Sequence, residues 1–90
     1  MLKRYIVERE IPGIGAMSQI DLCNAAAKSN EALAQLAPKV QWAHSFVGAD
    51  RAFCVYLAES EDLVRRHAEI SGFPANRIVE VPGLIDPTTE

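Results

Sequence analysis

The sequence predicts one α+β domain spanning residues 1–90, with a four-stranded antiparallel sheet carrying two helices on one face. Three observations carry that expectation. Strand-like and helix-like stretches follow one another as β-α-β-β-α-β, the split βαβ or ferredoxin-like order. The short stretch Gly48-Ala49-Asp50-Arg51 joins the middle strands as a hairpin. Pro82 falls in the last strand and cannot donate to a ladder, which confines that strand to an edge.

Lys3 to Ile11 reads as the first strand, because Tyr5, Ile6 and Val7 favour extended backbone and Pro12-Gly13 stops the run. Tyr5, Val7 and Arg9 share one face of it, and Ile6, Glu8 and Glu10 the other. Gly13-x-Gly15 lacks the third glycine, the lysine and the Ser/Thr of a phosphate loop and reads as a plain turn. Ser18 caps the first helix, with Asp21 three residues on. Behind it Leu22, Ala25, Ala26, Ser29, Leu33 and Leu36 form one helical stripe whose alanines allow close approach to a sheet, and Pro38 ends the helix. Val40 to Val47 and Ala52 to Ala58 are the hairpin strands, and Phe53-Cys54-Val55-Tyr56-Leu57 belongs at the sheet centre. Ser60 caps the second helix, with Leu63, Val64, His67, Ala68 and Ile70 turned inward. Gly72 suits the left-handed residue that ends it, Phe73 the accompanying contact, and Pro74 prevents continuation. Ile78 to Ile85 is the last strand, and Asp86 to Glu90 an irregular tail.

Composition narrows the function classes. A net charge of −3 without a basic stripe argues against nucleic acid as a partner. No apolar run reaches membrane-spanning length, and the start Met1-Leu2-Lys3-Arg4-Tyr5 lacks a signal-peptide core. Two cysteines, Cys23 and Cys54, are too few for a secreted disulfide scaffold, so a cytoplasmic protein with free thiols is expected. Cys23 is read as a small core residue on the flank of the first helix. There is no Ser-His-Asp order, paired-aspartate motif or phosphate loop, so binding is expected in place of catalysis.

The sheet face away from the helices supplies the chemistry. Placing Phe53, Val55 and Leu57 under the helices turns Cys54 and Tyr56 outward, together with Ile6, Glu8, Ile78 and Glu80. The second strand admits two registers, one residue apart. In one, Trp42, His44 and Phe46 face outward. In the other, His44 shares the face of Val55. With the first register the open face is an apolar and aromatic patch that pairing with a second copy would cover, giving a homodimer of the α+β barrel kind. His44, Glu8, Cys54 and Tyr56 then supply imidazole, carboxylate, thiol and phenol, donors suited to nickel, zinc or copper. The alternative is a hydrogen-bonded interface histidine with Glu8 as its partner. His67 reads as a packed inner-stripe residue, and Asn76 and Arg77 as strand-entry groups able to hold an anion.

Tyr5-Ile6-Val7-Glu8-Arg9, Ile11-Pro12-Gly13, Gln41-Trp42-x-His44-Ser45, Cys54-x-Tyr56, His67-Ala68 and Gly72-Phe73-Pro74-Ala75-Asn76-Arg77 span nearly the whole chain. In these segments the sequence resembles a family of small bacterial proteins of unknown function whose characterised type is a nickel-binding, ferredoxin-like dimer. The resemblance implies binding of nickel or another divalent transition metal. With the open-face reading, His44 and Glu8 are then the preferred ligands, and Cys54 and Tyr56 the next. A small-molecule-binding, monooxygenase-like dimeric barrel, with a cavity between helices and sheet, and a metal-free interaction module are the competing functions.

Overall fold

The structure, a computed structural model, describes all 90 residues. Strand β1 spans Lys3–Glu10, helix α1 Gln19–Leu36, β2 Val40–Val47, β3 Arg51–Ala58, α2 Glu61–Ser71 and β4 Arg77–Glu80. The antiparallel sheet runs in the order β2-β3-β1-β4, with β1 and β3 central and β4 at an edge. This is the ferredoxin-like α+β fold. Single 3-10 turns at Ile14–Ala16 and Pro87–Thr89 complete it, and no helix is long and apolar enough to cross a membrane.

The caps lie where side-chain chemistry places them. Ser18 accepts from the Asp21 amide and Ser60 from the Leu63 amide, so each hydroxyl satisfies one orphan donor of a first helical turn. Gly72 closes α2 at φ 79°, a conformation that a Cβ would strain. The Gly13-x-Gly15 turn seats a 3-10 turn against the β2–β3 connection. Gly15 donates to the Ala49 carbonyl, and a Cβ there would meet the Gly48 carbonyl oxygen at 2.7 Å. Ile14 is thereby pushed into the core.

Two expectations change along the edges. β4 ends at Glu80, with one further ladder bond from the Val81 amide to Arg4, because Pro82 has no N–H to extend it. Cys23 is exposed on α1 and is not a core residue, whereas Cys54 is buried, and neither forms a disulfide. Ala32 joins Ser29 as the most deeply buried pair of α1.

The register fixes what each face presents. Beneath the helices, Tyr5 pairs with Tyr56 and Val7 with Cys54, while Val40 pairs with Ala58 and Ser45 with Cys54. With Val64 of α2, Ala52 and Ile14, all of these but the half-buried Ser45 make the core. β3 therefore lies in the opposite phase to the sequence expectation: Ala52, Cys54, Tyr56 and Ala58 face the helices, and Phe53, Val55 and Leu57 face away. On β4 the same inversion holds. Ile78 pairs with Val7 on the helix side and Val79 with Ile6 on the open side. A bulge between Trp42 and His44 settles β2, because the extra residue Ala43 sends Trp42 under the helices and His44 out.

Candidate functional site

The sheet separates the expected metal ligands. His44 stands opposite Val55 on the open face, and Glu8 stands opposite Phe53. β3 lies between their strands and their partners stand two residues apart along it, so at the usual spacings their backbones are about 12 Å apart. Cys54 and Tyr56 are buried on the other side, beneath the helices. Glu8 is instead ion-paired with Arg51, and His44 packs edge-to-face on Phe46 with ring centres 5.1 Å apart. Within one chain these four donors do not converge, and no three His, Cys, Asp or Glu side chains are grouped to hold a metal. The donor set of a single copy therefore does not fit nickel.

On the helix side the structure brings other residues together. A cavity of about 240 Å³ lies between α1 and the sheet. Eleven of its fourteen lining residues are hydrophobic, among them Ile11, Ile14, Leu22, Trp42 and Phe73. Its walls follow from local sequence. Ala25, Ala26, Ala52 and Cys54 are too small to fill the space that they line together with Trp42 and Phe73. The Trp42 indole N–H donates to Ser45 Oγ at 3.0 Å, which fixes the ring against the wall.

Polar groups converge on this apolar space. Arg9, only 2% exposed, lies in the wall, because it continues the inward parity of Tyr5 and Val7 along β1. Its guanidinium donates to the Pro74 carbonyl at 2.5 Å and to the Tyr56 hydroxyl at 3.2 Å. The rings of Tyr56 and Phe73 lie 5.9 and 6.0 Å from its central carbon. No carboxylate pairs with it: the ion pairs are Arg51–Glu8, Arg65–Glu61 and Arg66–Glu69, all at the surface. Burial pushes the Tyr56 phenol up from its ordinary value against the pull of the Arg9 charge, so the ring stays protonated.

Behind Tyr56 lies His67, fully buried, with its ring centre 5.1 Å from the tyrosine ring. Its Nε2 lies 3.2 Å from the Ser29 carbonyl and 3.3 Å from Ser29 Oγ. A carbonyl only accepts, which assigns the proton to Nε2 and leaves Nδ1 as a bare, buried acceptor without a partner. Desolvation lowers the His67 pKa, the Ser29 carbonyl opposes that shift and the Arg9 charge adds to it, so the imidazole is neutral. Arg9, Tyr56, Ser29 and His67 thus link β1, β3, α1 and α2 through one polar cluster. Sequence reasoning put Tyr56 on the wrong face and gave Arg9 no role. The available signal was a charged residue at an inward-facing strand position.

Comparison with known proteins follows the same fold. The family model described as nickel responsive protein SCO4226-like matches residues 5–81. The crystal structure of SCO4226 from Streptomyces coelicolor A3(2) superposes with a TM-score of 0.75 at 18% identity, covering 91% of this chain and 99% of that one. At that identity the likeness shows the fold. No curated protein matches the chain.

Proposed function

This chain belongs to the nickel responsive protein SCO4226-like family, and we propose that it is a small-molecule-binding member whose site is the cavity between α1 and the sheet. One observation carries the reading: an apolar cavity of about 240 Å³ into which a few polar groups converge. That is the usual build of a small-ligand site, although the volume falls just below the range of about 300–1,000 Å³ that holds drug-sized ligands, so only a small ligand fits. A dry cavity of about 150 Å³ already accommodates benzene, so this one has room for a single ring with a short polar arm. Binding of the neutral probe phenylacetamide, measured by calorimetry, tests it. Saturable binding that Ala26→Leu abolishes by filling the space is the expected result. Binding unchanged in that variant would place the ligand elsewhere.

The family description, nickel responsive, is the ground for a second reading, and in that reading a divalent transition metal is held between two copies whose contact is the open face. Phe46 is 63% exposed, and Phe53 and Val79 are also uncovered, which makes the open face an apolar surface suited to pairing with itself. His44 and Glu8 of each copy would be the donors, imidazole and carboxylate being suited to nickel, zinc or copper. Cys54 and Tyr56, beneath the helices, take no part in this form of the site. Equilibrium dialysis with the three metals compares wild type with His44→Ala. Loss of binding supports the paired site, and unchanged binding removes it.

A further inference from the structure

We propose that the cavity ligand is a small organic acid, with its carboxylate held by Arg9 and Tyr56 and its apolar body lying between α1 and the sheet. The inference rests on the cavity reading above and adds the charge of the ligand.

A buried guanidinium is costly unless an anion or a full set of acceptors compensates it. Arg9 is 2% exposed, has no carboxylate partner, and lies in the wall of a cavity that is otherwise mostly apolar. The protein engages it through one carbonyl, Pro74, and one hydroxyl, Tyr56. A guanidinium carries five N–H donors in a planar fork, and that fork matches the two oxygens of a carboxylate. The two contacts present also orient it. Pro74, just past the end of α2, fixes one side, and Tyr56 of β3 fixes another, so the group is immobilised before any ligand arrives. The Tyr56 hydroxyl accepts from Arg9 and keeps its own proton, which leaves it able to donate to a ligand oxygen. The glutamates nearest in sequence, Glu8 and Glu10, point to the opposite side of β1, and Glu8 is already paired with Arg51.

The remaining lining defines the rest of the ligand. Ile11, Ile14, Leu22, Ala26 and Trp42 present no further charge, so the body of the acid is uncharged and apolar. Buried charge-assisted pairing of this kind discriminates strongly between a carboxylate and its neutral isostere, because the isostere leaves the guanidinium uncompensated.

The test uses phenylacetate and phenylacetamide, which share shape and differ in charge, titrated near neutral pH into wild type, Arg9→Met and Arg9→Lys. The expected result is that wild type prefers the acid by about ten-fold or more, that Arg9→Met loses the preference, and that Arg9→Lys keeps only part of it. The lysine variant retains the charge, so it reports even if the methionine variant fails to fold. Equal binding of acid and amide by wild type, or a preference intact in Arg9→Lys and Arg9→Met, overturns the inference and leaves the cavity reading standing. Binding of neither probe overturns both.

Discussion

The two faces of the sheet solve opposite problems with the same four strands. Beneath the helices, polar side chains are taken out of water and tied to one another: Arg9 to Tyr56, and His67 to Ser29. On the open face, apolar side chains are left in water, Phe46 and Phe53 among them, beside the exposed Glu8–Arg51 pair. Buried polar groups without a full set of partners mark a place where something else completes the structure, and exposed apolar groups mark a place where something else covers it. The difference teaches where each side leaves chemistry unsatisfied: beneath the helices Arg9 has no carboxylate partner and His67 Nδ1 no hydrogen bond, and on the open face Phe46 and Phe53 stand in water.

The largest expected effect separates the faces by stability. Tyr56→Ala should lose about 3–5 kcal/mol in urea unfolding, since it deletes a buried aromatic ring and strands Arg9. Phe46→Ala should stay within about 0.5 kcal/mol in dilute, unpaired protein. Equal losses would mean that the open face is as well covered as the core.

Next comes the pH dependence of the buried side. The folded state binds a proton at His67 less readily than the unfolded chain does. As pH falls below the unfolded value of about 6.5, the unfolded state takes up the proton first, so the stabilisation present above that pH is lost on acidification. The slope should approach 1.4 kcal/mol per pH unit at most, roughly, for one proton, and His67→Gln should remove this limb from the unfolding profile. An unchanged limb in the variant would assign it to other groups.

Smaller effects lie at the helix ends, away from both faces. Ser60→Ala should cost about 1 kcal/mol by leaving the Leu63 amide of α2 without its cap. The exposed Arg65–Glu61 pair, one helical turn apart, should be worth only about 0.3–0.5 kcal/mol, read as the loss in Arg65→Ala. A larger loss at Arg65 than at Ser60 would mean that the outer surface of α2 contributes more than its exposure allows.

Most of the fold was legible in the residues, and the faces of the sheet were not. Element order, both serine caps, the end of α2 at Gly72 and the edge position of β4 each follow from a local rule that tertiary structure did not override. The phase of β3 has no such rule. Phe53-Cys54-Val55-Tyr56-Leu57 is apolar or aromatic on both parities, so no polar marker distinguishes inside from outside. Choosing the bulkier Phe53, Val55 and Leu57 for the core was the natural reading. The helices instead cover Ala52, Cys54, Tyr56 and Ala58, and the small side chains among them leave the cavity beneath α1 open. The bulge at Ala43 was equally hidden, since one extra residue reverses which of Trp42 and His44 is covered and leaves no trace in composition. The site residues shifted accordingly. Tyr56 belongs to the cavity cluster, His44 and Glu8 stay on the open face without meeting, and Arg9, read at first as a strand residue alone, becomes the charged group of the buried side.

Methyl NMR reports the two faces separately and tests the central claim, that the ligand site lies under the helices, most directly. On titration with phenylacetate we expect saturable shifts at Ile11, Ile14, Leu22, Ala26 and Val47, which line the cavity. Ile6, Val55 and Val79, on the open face, should stay still. Shifts confined to Ile6, Val55 and Val79, or no saturable shift at any of these methyls, would contradict it.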